Sequence, residues 1–393
     1  MKTFDLQDGL LRCLSHEWSG LAIAATVVVV GLSILTAVTQ SWLAQISLCL
    51  AAVGALLGFG ALRHWLHTAR VDRRHPAPGQ MINMGCWRMH ILAEGEAEGR
   101  PTVVWIPGGH AGGLALHHLH LAMREETRSI LFDRAGSGWS DAGPFPRSTV
   151  CEAEEAWRCL ESAGERGPII LVGHSLGGLL AANMARRHRE HVCALVLLDA
   201  TPLDTITYGP ALMGMANLRR QALFTGMLAL FGIYLRTAER AAHSNPEIAE
   251  IQRVVHKALG PSASVLREIE TNARAQFALA SMYAEHSPAR LTRTAWQTVV
   301  YDGDLGDLPV WVVAPGDSAE TASLPPGIAS DPNDLTRMHR FYRRNRERYL
   351  ETSTQSHRVQ VPAGCGHNFP YEVPEFVIDL VRDILLSTSH SAQ

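Results

Sequence analysis

The residues best suited to chemistry in this 393-residue chain form the pentad Gly173-His174-Ser175-Leu176-Gly177. An apolar run from Pro168 to Val172 precedes the pentad, and a helical pattern follows from Leu179. A serine on a sharp turn from a strand into a helix is exposed for nucleophilic attack, and the small residues around it let the backbone make that turn. We therefore predict that Ser175 is a nucleophile.

A serine hydroxyl needs a base to remove its proton, and a histidine oriented by a carboxylate is the usual base. His367 is alone among the 19 histidines in lying on a glycine-flanked turn after the last predicted strand. For a serine on a strand-to-helix turn, the expected chain order is serine, acid, histidine. This order and placement predict His367 as the general base.

The acid that orients this histidine has more than one candidate. Asp317 follows the apolar strand predicted at 309–313 and lies between the serine and the histidine in the chain. On position we predict that Asp317 is the acid. Asp199, at the end of the preceding predicted strand, is the alternative, and Asp302 and Asp304 are more remote ones.

The negative oxygen that develops during acyl transfer needs backbone N–H donors that are already in place. One donor is expected from Leu176, directly after the nucleophile. The other is expected from the loop after the apolar strand at 102–106, where Gly108 and Gly109 permit close approach of the backbone. We predict the N–H of Gly109 as this second donor.

The elements that must position these residues follow from the hydrophobic pattern. From about Met81, short apolar runs alternate with helical segments, which is typical of a largely parallel α/β sheet. The segment between Thr201 and about Leu305 is helical in period, which predicts a cap inserted between two strands of one sheet. The predicted strands are 87–92, 102–106, 129–132, 168–172, 194–198, 309–313 and 357–361.

Three motifs carry a resemblance to a known family. They are D-R-A-G-S-G-W-S at Asp133 to Ser140, G-H-S-L-G-G at Gly173 to Gly178, and the strand end Leu197 to Asp199. Between roughly Trp87 and Leu385 the chain resembles the α/β-hydrolase family. The resemblance implies an α/β-hydrolase fold with a helical cap, a Ser-Asp-His serine hydrolase and no cofactor. The chain departs from the family at Pro107, where many members have histidine before the oxyanion glycine.

The predicted chemistry is cleavage of an ester through an acyl-enzyme. A cap rich in Leu, Met and Ala indicates a lipophilic small-molecule acyl substrate. A thioesterase, an amidase or peptidase, a C–C bond hydrolase and a perhydrolase would use the same triad, so the residues do not separate them. A non-catalytic binding module on a hydrolase-like fold is the alternative from another class.

A second feature is an uncharged stretch near the amino terminus. Between Ser19 and Leu62 there is no Asp, Glu, Lys, Arg or His, and about 20 apolar residues suffice for a spanning helix. The stretch predicts a transmembrane hairpin with helices at about 21–38 and 42–62 after an amino-terminal tail. Gly54 and Gly58 have the GxxxG spacing that lets membrane helices approach closely.

Basic residues flank this hairpin on both sides. Lys2 and Arg12 precede it, and a basic linker at 63–80 follows it. The positive-inside rule places both flanks, and the hydrolase domain at 81–393, in the cytoplasm. A cleaved signal peptide is disfavoured because the apolar run starts late and is followed by a second one.

Composition excludes several other classes. A net charge of −3 argues against nucleic acid as a partner. His117, His118 and His120, with His110 upstream, lack cysteine or carboxylate at ligand spacing, so no metal site is predicted. The arginine-rich run from Arg337 to Arg348 is interpreted as a solvated helix face, with contact to anionic lipid headgroups as a further option.

Overall fold

A computed structural model describes residues 6–37, 40–109, 111–202, 209–233, 246–270, 273–285, 303–316, 340, 343–344 and 346–390. Its centre is an eight-stranded sheet with the strand order β1-β2-β4-β3-β5-β6-β7-β8. Strand β2 pairs antiparallel with β1 and with β4, and the remaining pairs are parallel. The strands are β1 (Gln80–Asn83), β2 (Arg88–Glu94), β3 (Thr102–Ile106), β4 (Ser129–Phe132), β5 (Ile169–His174), β6 (Val192–Leu198), β7 (Val310–Ala314) and β8 (Ser356–Gln360).

The central strands form because their residues are β-branched or apolar on both faces. Every residue of β3 and of β5 is buried, which is the pattern of a parallel strand covered by helices on both sides. Each predicted strand is present within a few residues of its expected bounds, and β1 is an additional antiparallel edge strand.

Helices cover both faces of the sheet. Outside the insertion, the helices that pack on the sheet are α4 (His117–Met123), α5 (Thr149–Ser162), α6 (Leu176–Arg187), α11 (Phe369–Glu372) and α12 (Pro374–His390). Trp157 of α5 and Leu180 of α6 belong to one apolar core, and Leu119 of α4 and Val381 of α12 belong to the other. The parallel sheet flanked by helices that the sequence predicted is confirmed.

Between β6 and β7 the described chain is helical, as the sequence predicted for the insertion. Its helices are α7 (Gly209–Leu230), α8 (Pro246–Leu259), α9 (Pro261–Ile269) and α10 (Ala273–Glu285). Helix α7 packs against α10 at Gly226, where an added methyl group would lie 2.8 Å from the Phe277 ring. The insertion therefore has its own apolar contacts above the sheet.

The amino-terminal region consists of α1 (Leu6–Leu14), α2 (Ser19–Ala37) and α3 (Ser41–Arg74). Helices α2 and α3 form an antiparallel pair, and both are long and apolar enough to cross a membrane. At Gly54 of the GxxxG sequence, an added methyl group would lie 2.8 Å from Val28 of α2. This glycine therefore lets the two helices approach each other closely.

The first part of the predicted basic linker at 63–80 is helical. Helix α3 continues without a break to Arg74, so only the segment 75–79 joins it to β1. The sequence from Leu62 to Arg74 contains no proline or glycine, and the helix ends just before Pro76, because a proline disfavours helical geometry in the residue before it. Most of the chain between the apolar hairpin and the sheet is thus a continuation of α3.

Candidate active site

Ser175 lies on the turn between β5 and α6, as the pentad predicted. Its backbone has φ 54° and ψ −123°, a conformation that costs a residue with a side chain about 1–3 kcal/mol. An added methyl group at Gly177 would overlap the Ile106 carbonyl oxygen, and one at Gly173 would overlap the Gly177 carbonyl oxygen. Glycine is therefore required on both sides of the serine for this turn to form.

His367 lies in the loop between β8 and α11, and its Nδ1 is 2.6 Å from Oδ2 of Asp199. Asp199 directly follows β6 and is buried, with φ 42°. Burial opposes ionisation of this carboxyl, but the His367 ring and the Arg346 guanidinium outweigh it and hold the pKa of Asp199 below its usual value. The carboxylate that the described structure brings to His367 is thus the alternative acid.

Of the other three acid candidates, the structure describes only Asp304. Asp317, the acid preferred on position, and Asp302 lie outside the described residues. Asp304 forms an ion pair with Arg186 of α6. The end of β7 nevertheless approaches the histidine loop, because the Gly316 N–H donates to the Cys365 carbonyl at 3.0 Å.

Arg346 corrects the interpretation of the arginine-rich run as a solvated face. Its Nε lies 2.5 Å from Oδ1 of Asp199, and only 9% of the residue is exposed. Arg340, Arg343 and Arg344 are exposed, as the solvated-face interpretation requires. Helical spacing alone could not reveal that one arginine meets a buried carboxylate from another part of the chain.

His174, the second residue of the pentad, connects the serine turn to the histidine loop. Its Nε2 donates to the His367 carbonyl at 2.9 Å, and the two ring centroids lie 4.7 Å apart. Burial, with a further contribution from His367, lowers the pKa of His174 to about 3. This ring is therefore neutral at ordinary pH and donates from Nε2, a role that the sequence analysis did not predict.

The loop after β3 lies beside the serine. A methyl group at Gly108 would lie 2.8 Å from the Ser175 Cβ, and Gly109 has φ 55°. The Arg134 Nη2 donates to the carbonyl oxygens of Gly108, Gly109 and Ala111. Because a peptide N–H points away from the carbonyl of the same trans peptide, Arg134 on the Gly108 carbonyl fixes the direction of the Gly109 N–H.

Asp133, the first residue of the D-R-A-G-S-G-W-S motif, holds the same region together. Its buried carboxylate accepts from the N–H groups of Gly113 at 2.6 Å and Trp139 at 2.9 Å, and lies 2.8 Å from His90 Nδ1. Sequence resemblance marked this motif without giving it a role. In the structure its first two residues bind the loop that carries Gly109.

The cap contacts this loop through Glu270, which directly follows α9. The Gly112 N–H donates to Oε1 of Glu270 at 2.5 Å. Burial and the nearby Asp133 raise the pKa of this carboxyl to about 7, although the Gly112 hydrogen bond and Arg134 oppose the change. Glu270 is thus a titratable link between cap and loop that sequence reasoning missed.

The three histidines of the cluster that the structure describes have protein partners. His117 Nδ1 lies 2.7 Å from Ser262 Oγ, and His118 Nε2 lies 2.8 Å from the Pro370 carbonyl. His120 lies between Ser129 and Glu94, at 3.0 Å from each. His110 lies outside the described residues.

Two curated relatives match about a quarter of this chain each. A (lyso)-N-acylphosphatidylethanolamine lipase of Mus musculus is 32% identical over 113 residues, which are 28% of this chain and 33% of that protein. A 1-acylglycerol-3-phosphate O-acyltransferase of Arabidopsis thaliana is 34% identical over 111 residues, which are 26% of each protein. The chain thus spans less than half the length of the curated relatives it matches.

Solved structures and a family model extend the likeness to most of the chain. A thermophilic esterase from Thermogutta terrifontis superposes with a TM-score of 0.51 at 20% sequence identity, over 79% of this chain and 98% of that one. That likeness concerns the fold alone. The model of the alpha/beta hydrolase family matches residues 103–380, which include Ser175, Asp199 and His367 and amount to well over half of the chain. The chain therefore belongs to the alpha/beta hydrolase family.

Proposed function

We propose that the protein is a membrane-anchored serine hydrolase that cleaves a lipophilic carboxylic ester. The observation that supports this most directly is the 2.6 Å contact between His367 and the buried Asp199, next to a serine on a strained turn. A histidine held in this way has one ring nitrogen engaged and the other free to exchange a proton with the serine.

In the proposed mechanism, the Ser175 hydroxyl attacks the acyl carbonyl while Nε2 of His367 takes its proton. Asp199 holds the Nδ1–H of His367 and stabilises the imidazolium. The N–H groups of Gly109 and Leu176 stabilise the developing oxyanion. His367 returns the proton to the leaving alcohol, and water then cleaves the acyl-enzyme by the same steps.

We assign the acid role to Asp199 in place of Asp317. The carboxylate of Asp199 is in contact with His367 and is kept ionised by His367 and Arg346, as its lowered pKa indicates. An ionised, buried carboxylate is what a catalytic histidine requires for its orientation. Strand β6 neighbours both β5 and β7 in the sheet, so its end lies close to Ser175.

The preference for an ester and for lipid-like substrates rests on the relatives and on the hairpin. Among the proteins with similar sequence is a (lyso)-N-acylphosphatidylethanolamine lipase of Mus musculus. We propose that α2 and α3 span the bilayer, with Trp42 at one interface and Trp18 and Trp65 at the other. All three tryptophans are exposed to between 40% and 57%. Trp42 and Trp65 are about 34 Å apart along α3, close to the thickness of a bilayer core.

The test is labelling of the detergent-solubilised full chain with a fluorophosphonate probe. We expect wild type to be labelled, and Ser175→Ala and His367→Ala to lose labelling. Substitution of Ser264, a partly buried serine of α9, by alanine is the control and is expected to keep labelling. A folded wild type that is not labelled would contradict the proposal and would favour the binding-module alternative.

A further inference from the structure

The carboxyl-terminal turn of α7 lies against the apolar hairpin. A methyl group added at Gly20 would lie 2.5 Å from the Leu230 carbonyl oxygen, and one at Gly60 would overlap the Phe231 carbonyl oxygen. Both glycines lie within the uncharged stretch from Ser19 to Leu62. The cap and the hairpin are thus in backbone contact at the level of the candidate membrane spans.

The residues that lead to this contact are themselves uncharged. No acidic, basic or histidine residue occurs between Gln221 and Ile233. Phe224 is 65% exposed and Ile233 is 43% exposed. Among the described residues of the hydrolase region these are two of only four large apolar side chains classed as exposed, the others being Leu121 and Leu386. We call the segment 222–233 the cap tip.

We propose that the cap tip inserts into the boundary between headgroups and acyl chains, in the leaflet where α3 leaves the bilayer. This inference rests on the membrane anchoring proposed above. Gly60 lies five residues before Trp65, about 7 Å along the helix axis, so the cap tip reaches below the level of the interfacial tryptophan. Apolar side chains exposed at that depth face lipid and not water.

The charges beside the cap tip agree with lipid as the occupant. Arg220 lies two residues before it on α7 and is exposed, so its guanidinium group can reach phosphate headgroups. A partner protein could bind the cap tip at any height relative to the hairpin. A bilayer requires the apolar residues of the cap tip and the apolar residues of the hairpin to lie at the same depth.

The cap tip is also connected to the candidate active site. Phe277 of α10 packs on α7 at Gly226, and Arg274 of α10 donates to the Gly138 carbonyl at 3.0 Å. Gly138 belongs to the motif whose Arg134 binds the Gly108–Gly109 loop. Only α10 therefore separates α7, which carries the cap tip, from the candidate site. The substrate class that we infer is an acyl ester that resides in the bilayer.

Depth-dependent quenching tests the insertion without depending on activity. An environment-sensitive fluorescent amino acid is introduced at Phe224 or Ile233 of the full chain, which is reconstituted into phosphatidylcholine vesicles that contain a minor fraction of nitroxide-labelled lipid. Leu386 is the matched control, because it is an exposed apolar residue on α12, which packs on α4 and β6. We expect a nitroxide near the carboxyl end of the acyl chain to quench positions 224 and 233 several times more strongly than 386. Equal quenching at all three positions would overturn the proposal.

A pair of substrates tests the delivery of a bilayer-resident ester. Phe224→Asp with Ile233→Asp is expected to lower hydrolysis of a vesicle-embedded long-chain ester by about tenfold, the factor expected when an aromatic side chain loses its apolar surroundings. Hydrolysis of a short water-soluble ester should stay unchanged, and Leu386→Asp should affect neither substrate. Phe224→Leu, which remains apolar, should retain the wild-type rate on vesicles.

The outcomes separate this inference from the proposed function. If the charged double variant loses both substrates equally, or neither, the delivery role is wrong. If wild type hydrolyses no ester and resists fluorophosphonate, the proposed function fails, and the quenching experiment still decides whether the cap tip contacts lipid.

Discussion

Asp199 has two basic neighbours, and each of its carboxylate oxygens contacts one of them. Oδ2 faces Nδ1 of His367 at 2.6 Å, and Oδ1 faces Nε of Arg346 at 2.5 Å. A carboxylate bound on one side by a fixed cation has less freedom to rotate, so its other oxygen is held towards the histidine. Arg346 is therefore a positioning residue in the proposed triad.

The assignment of the acid makes a paired prediction. Asp199→Asn should lower kcat by about 10³–10⁴-fold, because the amide no longer stabilises the imidazolium or its tautomer. Asp317→Asn should leave kcat close to the wild-type value, because this side chain would then make no contact that stabilises the transition state. Both are measured on a soluble ester with the solubilised full chain. The reverse ranking of the two variants would return the acid role to Asp317.

Arg134 offers a test of the oxyanion loop, by which we mean the loop after β3 that carries the proposed donor Gly109. Arg134→Lys keeps the positive charge opposite Glu152 but loses the planar fork that reaches three carbonyl oxygens. We expect kcat to fall by about 10²-fold with little change in KM, the pattern of a weakened oxyanion donor. Thermal unfolding provides the control for folding. A rise in KM at unchanged kcat would show that Arg134 serves substrate binding instead.

At the scale of elements, Glu270 makes the contact between cap and loop dependent on pH. Its pKa in the folded protein, about 7, lies above the ordinary glutamate value of about 4.3. A raised acid pKa means that the folded state binds the proton more tightly. Its stabilising effect is therefore complete below about pH 4 and is lost as the pH rises towards 7.

Glu270→Gln should remove this dependence. Between pH 4.5 and 7, roughly the interval between the two pKa values, the unfolding temperature of wild type should decline relative to that of the variant. Glu268→Gln is a useful comparison, since Glu268 belongs to the same helix region but pairs with His75 at 3.1 Å. Parallel curves for wild type and Glu270→Gln would contradict a carboxyl that titrates near neutrality.

The last turns of α3 are a second element with a testable role. Val71 is buried in an apolar cluster with Leu114 of the loop after β3 and Leu266 of α9. Val71→Ala should lower the free energy of unfolding by about 1–3 kcal/mol and reduce activity, because the cavity lies beside the oxyanion loop. Asp72→Ala, at an exposed neighbouring position, should change neither. Chemical denaturation of the two variants in detergent compares them directly.

The sequence was sufficient for elements whose pattern is local. The apolar run before Ser175 and the glycines around it determine a strand, a sharp turn and a helix within a dozen residues, so this part of the site was predictable. The choice between Asp199 and Asp317 was not, because each follows a strand and only the long-range contact with His367 separates them. Arg346 was misinterpreted for the same reason. The extension of α3 could be read from the lack of helix-breaking residues before Pro76.

At the scale of the whole molecule, the hairpin is in contact with the cap and with the loop that contains the D-R-A-G-S-G-W-S motif. Glu17, just before α2, lies 3.8 Å from Arg274 of α10, and the Trp139 indole donates to the His75 carbonyl just after α3 at 2.8 Å. Both ends of the hairpin therefore contact the hydrolase region. A hairpin that spans a bilayer returns the chain to its starting side, so these contacts require both of its flanks to lie on the side of the hydrolase domain.

That requirement and the basic flanks lead to the same topology. We propose that both flanks lie in the cytoplasm, because basic residues favour that side of a membrane. These residues are Arg63, Arg70, Arg73 and Arg74 after the apolar stretch, and Lys2 and Arg12 before it. A carboxyl-terminal fusion to green fluorescent protein in a bacterial host should fluoresce, and a fusion to alkaline phosphatase should be inactive. A phosphatase fused after Gln40, between the two spans, should be active. An active phosphatase at the carboxyl terminus would place the catalytic domain outside the cytoplasm and would invert the proposed leaflet for the cap tip.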